Sequence, residues 1–506
     1  AQNGLNVTTT LNSYVQSVLE KQLQTTLTES GAQNRVCGIV MNVKTGAILA
    51  MGVAPSFDLN SPWTLNTQSL EKLNASGYAE DSTEYTTLKR ELLLETWSNK
   101  AITEIYMPGS TFKIITVSMA LEEKLVNMTE RFFCSGAYSV AGRTIHCHKT
   151  TGHGSLDLAG GLQQSCNPVM MMLGGRIGTQ RFYNYVKQYG YLEKTGIDLP
   201  GEGTSIFYKE DRFREIDLAV SSFGQNFKIS PIQHITAIAA VANGGNLVEP
   251  YLVEKISDEN GKTVYEHGTV VRRQVVNSDI CRTLSDILEK GVSGNGGAKN
   301  AYVAGYRVAA KTGTSEKIGD DKSKRIGSCV AYAPADDPQY AVIIIVDEPT
   351  IGSLYGSTVA APYVGRVMEE ILPYLGVEAV YTDEELKNMA VSVPNLCYWS
   401  TALARKYAES LDLNVEIRGD GDYILRQSPA AGSKVEQNNG KIILYTTKDA
   451  PQKTISVPNV VGRTAAAANS MIINAGLNIK IEGTRNYLSG TGAVVVSQSP
   501  AAGEVA

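Results

Sequence analysis

Apolar and polar positions divide the chain into segments of different period. Leu11, Tyr14, Val15, Val18 and Leu19 recur at helical spacing, which predicts a helix within residues 9–28. Two apolar runs flank Lys44-Thr45-Gly46, so residues 35–54 read as a β-hairpin. Residues 55–100 are polar and rich in Tyr, Thr and Asn, and predict an irregular excursion. Pro108-Gly109 then breaks the chain, and residues 110–126 are apolar on nearly every face, as a buried central helix would be. Residues 168–190 predict another helix, with Asn167 as its cap and Pro168 in its first turn. Further helices are expected at 231–243, 279–291 and 360–374, and three consecutive strands at 306–314, 327–335 and 339–348. Helix, hairpin, several helices and then strands in series predict an α+β domain with an antiparallel sheet.

Near residue 380 the pattern changes and an internal repeat begins. Val393-Pro394-Asn395 returns as Val457-Pro458-Asn459, and Gln427-Ser428-Pro429-Ala430-Ala431-Gly432 returns as Gln498-Ser499-Pro500-Ala501-Ala502-Gly503. Each copy holds one helical pattern, at 400–411 and 464–476, and residues 448–454 link the copies. The first copy ends in a strand, 441–447, whose counterpart would lie beyond Ala506, so the second is expected to be truncated. The expected domains are therefore 1–380, 391–447 and 456–506.

Composition adds exclusions. A net charge of -5 offers no basic footprint for nucleic acid. No run of about 18 apolar residues is present to span a membrane, and no secretory signal opens the chain. The chain starts at Ala1-Gln2 rather than Met, and an upstream segment is expected.

Three short motifs carry candidate chemistry: Ser110-x-x-Lys113, Ser165-x-Asn167 and Lys311-Thr312-Gly313. Each recurs elsewhere, as Ser69–Lys72, Ser293–Asn295, Lys44–Gly46 and Lys194–Gly196, so context must choose. Ser110 opens an apolar helix with Lys113 one turn on, where desolvation can strip a lysine of its proton and make it a base. Ser69 and Lys72 stand in a polar stretch and are expected on a solvated face. Lys311-Thr312-Gly313-Thr314 ends an apolar strand, whose edge can receive a peptide, with Gly313 admitting a ligand close to the backbone. Lys44–Gly46 reads as a plain turn, and Ser293–Asn295 as a flexible Gly-rich linker. The bland alternatives are a helix cap at Ser110 with a snorkelling lysine, a cap at Asn167 and a turn glycine at Gly313.

In this order the motifs resemble the class B, monofunctional penicillin-binding proteins. The similarity extends to YMPGSTFK (106–113), GHGSLDL (152–158), SCNPV (165–169), TGIDLPGE (195–202), SFGQNFKISPIQ (222–233) and AYAPADDP (331–338), and covers residues ~5–375 almost continuously. The chain is similar to the septal and sporulation branch, the stage V sporulation protein D type, with residues 391–447 and 456–506 resembling PASTA repeats. Met107 and Asn226 depart from that pattern, standing where Glu and Gly are usual. The resemblance implies an antiparallel sheet with helices on both faces, followed by small α/β repeats. It implies peptidoglycan D,D-transpeptidase activity in division or sporulation, with β-lactams acylating the same serine. Ser110 would be the nucleophile, Lys113 the base and Ser165 a proton relay beside Lys311. Asn167, Thr312, Gly313 and Thr314 would bind substrate. The reaction would need no cofactor. Stem peptides, a glycan polymerase, an upstream membrane anchor and the extracytoplasmic face of the bacterial membrane are likewise implied. Relatives with the same motifs include D,D-carboxypeptidases, β-lactamases and non-catalytic sensors of β-lactam or muropeptide.

Seven cysteines leave at least one unpaired. Cys134 and Cys147 share a short stretch with His146, His148 and His153. On an extended strand His146 and His148 face one side and Cys147 the other. Cys134, Cys147 and His153 are therefore expected as ligands of a structural zinc, with a fourth ligand unidentified. A Cys134–Cys147 disulfide and free thiols are the alternatives.

Overall fold

The computed structural model describes residues 4–317, 323–382, 384–385, 390–436, 440–448, 456–475, 477–480 and 494–504. It divides into two compact units, Ala1–Val303 with Arg307–Ile371, and Ala304–Tyr306 with Leu372–Ala506.

The first unit is organised by a five-stranded sheet. Its strands are β1 (Arg35–Asn42), β2 (Ile48–Ala54), β3 (Ala309–Glu316), β4 (Arg325–Ala333) and β5 (Tyr340–Asp347), in spatial order β3-β4-β5-β1-β2. Every neighbouring pair is antiparallel, with Thr312 opposite Cys329 and Ile343 opposite Ile39. The principal helices are α1 (Ser13–Ser30), α2 (Lys113–Glu122), α3 (Asn167–Ile177), α4 (Pro231–Ala242), α5 (Ser278–Ser293) and α6 (Ala361–Tyr374).

Strands β1 and β5 are buried on both faces, which is why they read as continuous apolar runs rather than alternating ones. Cys37, Ile39, Met41, Ala341, Ile343 and Ile345 join the core shared with α2, α3 and α4. The intervening side of β1 meets α1, where a Cβ on Gly38 would lie 2.9 Å from Leu19. Helix α6 joins α1 through Lys21–Glu370 and Tyr363–Glu29. The expected antiparallel sheet with helices on both faces is thus present.

Several local expectations change. Residues 55–100 contain helices at Thr67–Ala75 and Thr83–Trp97, and a third, Lys100–Thr103, begins at their end. Each starts at a side-chain cap, from Asn66, Ser82 and Asn99, that satisfies otherwise unpaired N–H groups. The helix expected over 110–126 is a 3₁₀ turn, Gly109–Phe112, followed by α2. The span 168–190 splits at Gly178 into α3 and Thr179–Gln188. Ser293 is the last residue of α5 rather than part of a loose linker, and Gly297 beyond it donates to the Gln163 carbonyl at 3.1 Å.

In the second unit the first repeat has a helix, Thr401–Glu409, beside the strands Asn414–Arg418, Lys441–Thr447 and Tyr423–Ser428. Its core contains Val393, Leu396, Ala404, Ala408, Leu413, Ile424, Ile442 and Leu444. The recurring sequence has a physical cause. Gln427 Oε1 accepts from Leu396 N at 2.7 Å, and Gln427 Nε2 donates to the Pro394 carbonyl at 2.8 Å. Gln498 repeats this staple with Val460 N at 2.9 Å and the Pro458 carbonyl at 3.1 Å. The second repeat has a helix at Ala465–Asn474, and residues 481–493 lie outside the described residues.

The sheet and all the motif residues belong to the first unit. Deleting residues 380–506 should therefore leave penicillin acylation within about threefold of the full chain, measured on a soluble and folded truncation; a tenfold loss would give the repeats a part in the site.

Candidate active site

The three motifs arrive from three separate elements. Ser110 lies on the 3₁₀ turn, Lys113 begins α2, Ser165 precedes α3, and Lys311 lies within β3. Strand β3 is an edge strand, and the lysine motif sits in its middle rather than at its end. Lys113 is fully buried and Lys311 is 2% exposed. Lys113 Nζ donates to the Ser165 carbonyl at 2.6 Å, to Ser165 Oγ at 3.1 Å and to Asn167 Oδ1 at 2.7 Å. Lys311 Nζ donates to the same Ser165 Oγ at 3.1 Å and to the Thr312 carbonyl at 3.0 Å. The Ser165 hydroxyl therefore sits between two buried lysine nitrogens. Ser165 adopts positive φ, +55°, a conformation uncommon for a non-glycine residue and one that often marks a functional site.

Burial, reinforced by the nearby Lys311 charge, holds Lys113 well below the usual lysine range. Cys147 and Cys166 oppose this, but loss of solvation is the larger effect. Burial also lowers Lys311, to about 8. Asn167 is not a simple helix cap. It occupies the first turn of α3, and its carbonyl oxygen is spent on Lys113.

The nucleophile turn is fastened to the strand that carries Lys311. Ser315 Oγ donates to the Met107 carbonyl at 2.8 Å, and Gly109 N donates to the Gly224 carbonyl at 2.9 Å. A Cβ on Gly313 would lie 2.7 Å from the Pro108 carbonyl oxygen and 2.6 Å from Ser328 Oγ. Gly313 thus admits the protein's own turn, not a ligand, to the strand. Gly224 is equally constrained, because a side chain there would run into the Gly109 carbonyl. Asn226, one of the two departures, has φ +66°, which explains why glycine is usual at this position. Thr314 Oγ1 accepts from Gly356 N at 3.0 Å, and Thr312 Oγ1 donates to the Gly297 carbonyl at 3.3 Å, so the stretch beyond α5 walls the site.

The duplicate motifs separate by environment. Ser69 is buried, not solvated as expected, because the helix beginning at Thr67 packs it beside Thr96, 3.3 Å away. Its partner Lys72 is exposed. Lys44–Gly46 forms a turn in which Asn42 Oδ1 accepts from Lys44 N at 2.9 Å.

The cysteine stretch folds against this site. Cys134, Cys147, His153 and Cys166 place their ligand atoms within 4.8 Å of one another. No disulfide joins Cys134 and Cys147, and each Sγ lies 3.6 Å from His153 Nδ1. The missing fourth member is Cys166, the middle residue of Ser165-Cys166-Asn167. Only the fold brings it in, from 19 positions beyond Cys147. His146 and His148 are exposed; His148 Nδ1 lies 3.8 Å from Cys147 Sγ, outside the four.

Residues 36–369 match the family model described as the penicillin binding protein transpeptidase domain. The chain belongs to the penicillin-binding protein transpeptidase family. Residues 391–448 and 455–506 of this penicillin-binding protein match the PASTA domain. It is 36% identical to stage V sporulation protein D of Bacillus subtilis over 460 residues, covering 88% of this chain and 66% of that protein. It is 25% identical to peptidoglycan D,D-transpeptidase FtsI of Escherichia coli, covering 75% and 58%. The chain thus spans about three-fifths to two-thirds of the length of these relatives. Among solved structures it is similar to penicillin binding protein 3 of Mycobacterium tuberculosis complexed with aztreonam. The TM-score is 0.63 at 25% identity, with 75% of this chain and 81% of that one covered.

Proposed function

We propose that this chain is a peptidoglycan D,D-transpeptidase that cross-links stem peptides through an acyl-enzyme on Ser110. The observation that carries the reading is the Ser165 hydroxyl held between Lys113 and Lys311 beside the Ser110 turn. Lys113, kept short of its proton by burial, takes the Ser110 proton as Oγ attacks the D-Ala–D-Ala carbonyl. The backbone N–H groups of Ser110 and Thr314 receive the oxyanion, each donor being worth roughly 10²–10³ in rate. Ser165 passes the proton to the departing amine of the terminal D-Ala. Lys311, Thr312 and Thr314 hold that residue's carboxylate, Gly313 keeps their strand against the turn, and Asn167 bonds the peptide backbone. The amine of a second stem peptide then attacks the ester, restoring Ser110 and forming the cross-link. β-Lactams enter at the first step.

Among the described residues no carboxylate hydrogen-bonds to Lys113, Ser165, Asn167 or Lys311. A class A β-lactamase deacylates with such a base, so this arrangement speaks against that relative. The reading places the site outside the cytoplasmic membrane, with a glycan polymerase as partner and an anchor upstream. No described helix is long and apolar enough to cross a membrane. The test supplies lipid-linked glycan strands and a polymerase. β-Lactam-sensitive cross-linked dimers support the proposal. Release of D-Ala without dimers indicates a carboxypeptidase, rapid β-lactam turnover a β-lactamase, and acylation with no product a sensor.

A structural zinc held by Cys134, Cys147, His153 and Cys166 is proposed alongside. A tetrahedral zinc with one sulfur and one nitrogen ligand sets them about 3.6 Å apart, matching both Sγ–Nδ1 distances here. The residues fit the ion, which would tie the Ser165–Asn167 turn to the 132–156 lobe and take no part in acyl transfer. Native mass spectrometry of the unreduced protein should find one zinc. A mass lower by two hydrogens without metal indicates a disulfide, and an unmodified mass indicates free thiols; either overturns the site.

A further inference from the structure

We propose that His234 is a positioning residue for the nucleophile, acting through Thr111 on the turn that carries Ser110. The inference rests on reading Ser110 as the acylated residue.

His234 is fully buried on α4, and so are Thr111 and Tyr191. Its Nε2 lies 2.8 Å from Thr111 Oγ1, and its Nδ1 lies 2.9 Å from the Tyr191 hydroxyl. Thr111 Oγ1 in turn lies 2.8 Å from the Pro108 carbonyl oxygen. This chain of contacts has one consistent proton order. A carbonyl only accepts, so the Thr111 proton goes to Pro108. Thr111 Oγ1 must then receive from His234, which places the imidazole proton on Nε2. Nδ1 is left as the acceptor for Tyr191. Burial lowers His234 to about 3, so the ring is neutral and keeps this tautomer at any pH at which the enzyme works.

The consequence falls on the turn. Pro108 and Thr111 bracket Gly109 and Ser110, and the bond between them closes the turn across the nucleophile. Thr111 uses its other face as well. Its methyl lies 3.1 Å from the position a Cβ would take on Gly313, and the Pro108 oxygen lies 2.7 Å from the same point. His234 therefore fixes the rotamer that orients Ser110 against the Lys311 strand. The walls are equally set. Phe112 packs on Tyr191 with ring centroids 5.4 Å apart, and Tyr106 meets His234 edge-on at 6.5 Å. Ser230 and Gln233 form a capping box that anchors α4 one residue before His234. A misplacement of about 1 Å at a reacting atom can cost about 10²-fold in rate.

The two ring nitrogens can be tested separately, because a glutamine amide reaches roughly as far as Nε2 and an asparagine amide roughly as far as Nδ1. The experiment measures acylation by a chromogenic β-lactam at saturating and subsaturating concentration, so that binding and acylation rate separate. Peptide mapping of the adduct and a melting curve accompany each variant. His234→Gln keeps the bond to Thr111 and should acylate within about fivefold of wild type. His234→Asn and His234→Leu should lower the acylation rate tenfold or more, with initial binding within about twofold. Thr111→Val should show the same loss, and Thr111→Val combined with His234→Asn no larger loss, because both break one chain. Thr111→Ser should restore the rate. A folded His234→Asn or Thr111→Val protein that acylates at the wild-type rate overturns the inference. So does a double variant whose losses multiply, or a His234→Gln protein as slow as His234→Leu. An adduct mapped away from Ser110 in wild type defeats the catalytic reading itself.

Discussion

Ser110→Ala should abolish covalent labelling by a fluorescent penicillin, while Ser69→Ala leaves labelling intact. Both serines sit in S-x-x-K and both are shielded, so burial of the serine does not distinguish them. The lysine does. Lys113 is fully buried, shares Ser165 with Lys311, and is held short of its proton. Lys72 is exposed, and the Ser69 hydroxyl rests 3.3 Å from Thr96. Without Ser110 the turn keeps only the Thr111 hydroxyl, which is committed to the Pro108 carbonyl and His234. Gel fluorescence after a time course is sufficient, and labelling that survives Ser110→Ala would sink the assignment.

Removal of the base gives the second large effect. Lys113→Ala should slow acylation by roughly 10²–10⁴, since among the described residues the only other buried amine on the Ser165 hydroxyl is Lys311, which faces it from β3. The same chemistry fixes the pH profile of the intact enzyme. Lys113 accepts a proton only when neutral, so acylation falls as pH drops through its lowered pKa and rises to a plateau above it. Lys311 should be charged to hold a carboxylate, so substrate capture weakens above about pH 8, where that charge is lost. The expected outcome is a bell with its alkaline limb near 8, read from the second-order acylation constant by stopped flow. A profile flat from pH 5 to 10 would contradict both assignments.

The sequence by itself determined the sheet strands, the catalytic motifs and the repeats. Strands such as Ile343–Ile345 are buried on both faces and leave an unbroken apolar run that survives in one dimension. The motifs are legible because short spacings encode local geometry, Ser110 and Lys113 being one turn apart. The repeats are legible because Gln427 and Gln498 each make the same staple within their own copy. What failed locally was polar helix formation over 55–100, where Asn66, Ser82 and Asn99 supply caps that an apolar pattern does not register.

Only the tertiary structure decided which of the repeated motifs meet. Ser165 and Lys311 are 146 positions apart, and no spacing rule joins them; the edge position of β3 and the packing of α2 on α3 do. Gly313 looked like room for a ligand, and became room for the Pro108 carbonyl once the turn was seated on the strand. Cys166 could not be assigned to Cys134, Cys147 and His153 until the 132–156 lobe folded back on α3. His234 gave no signal at all within an apolar helix, because its role depends on Thr111, 123 positions earlier, and on Tyr191. A pKa, a tautomer and a ligand set each depend on what excludes water and what lies within hydrogen-bond reach. Both are properties of packing between distant segments, and this fold creates them at the junction of β3, α2 and α3.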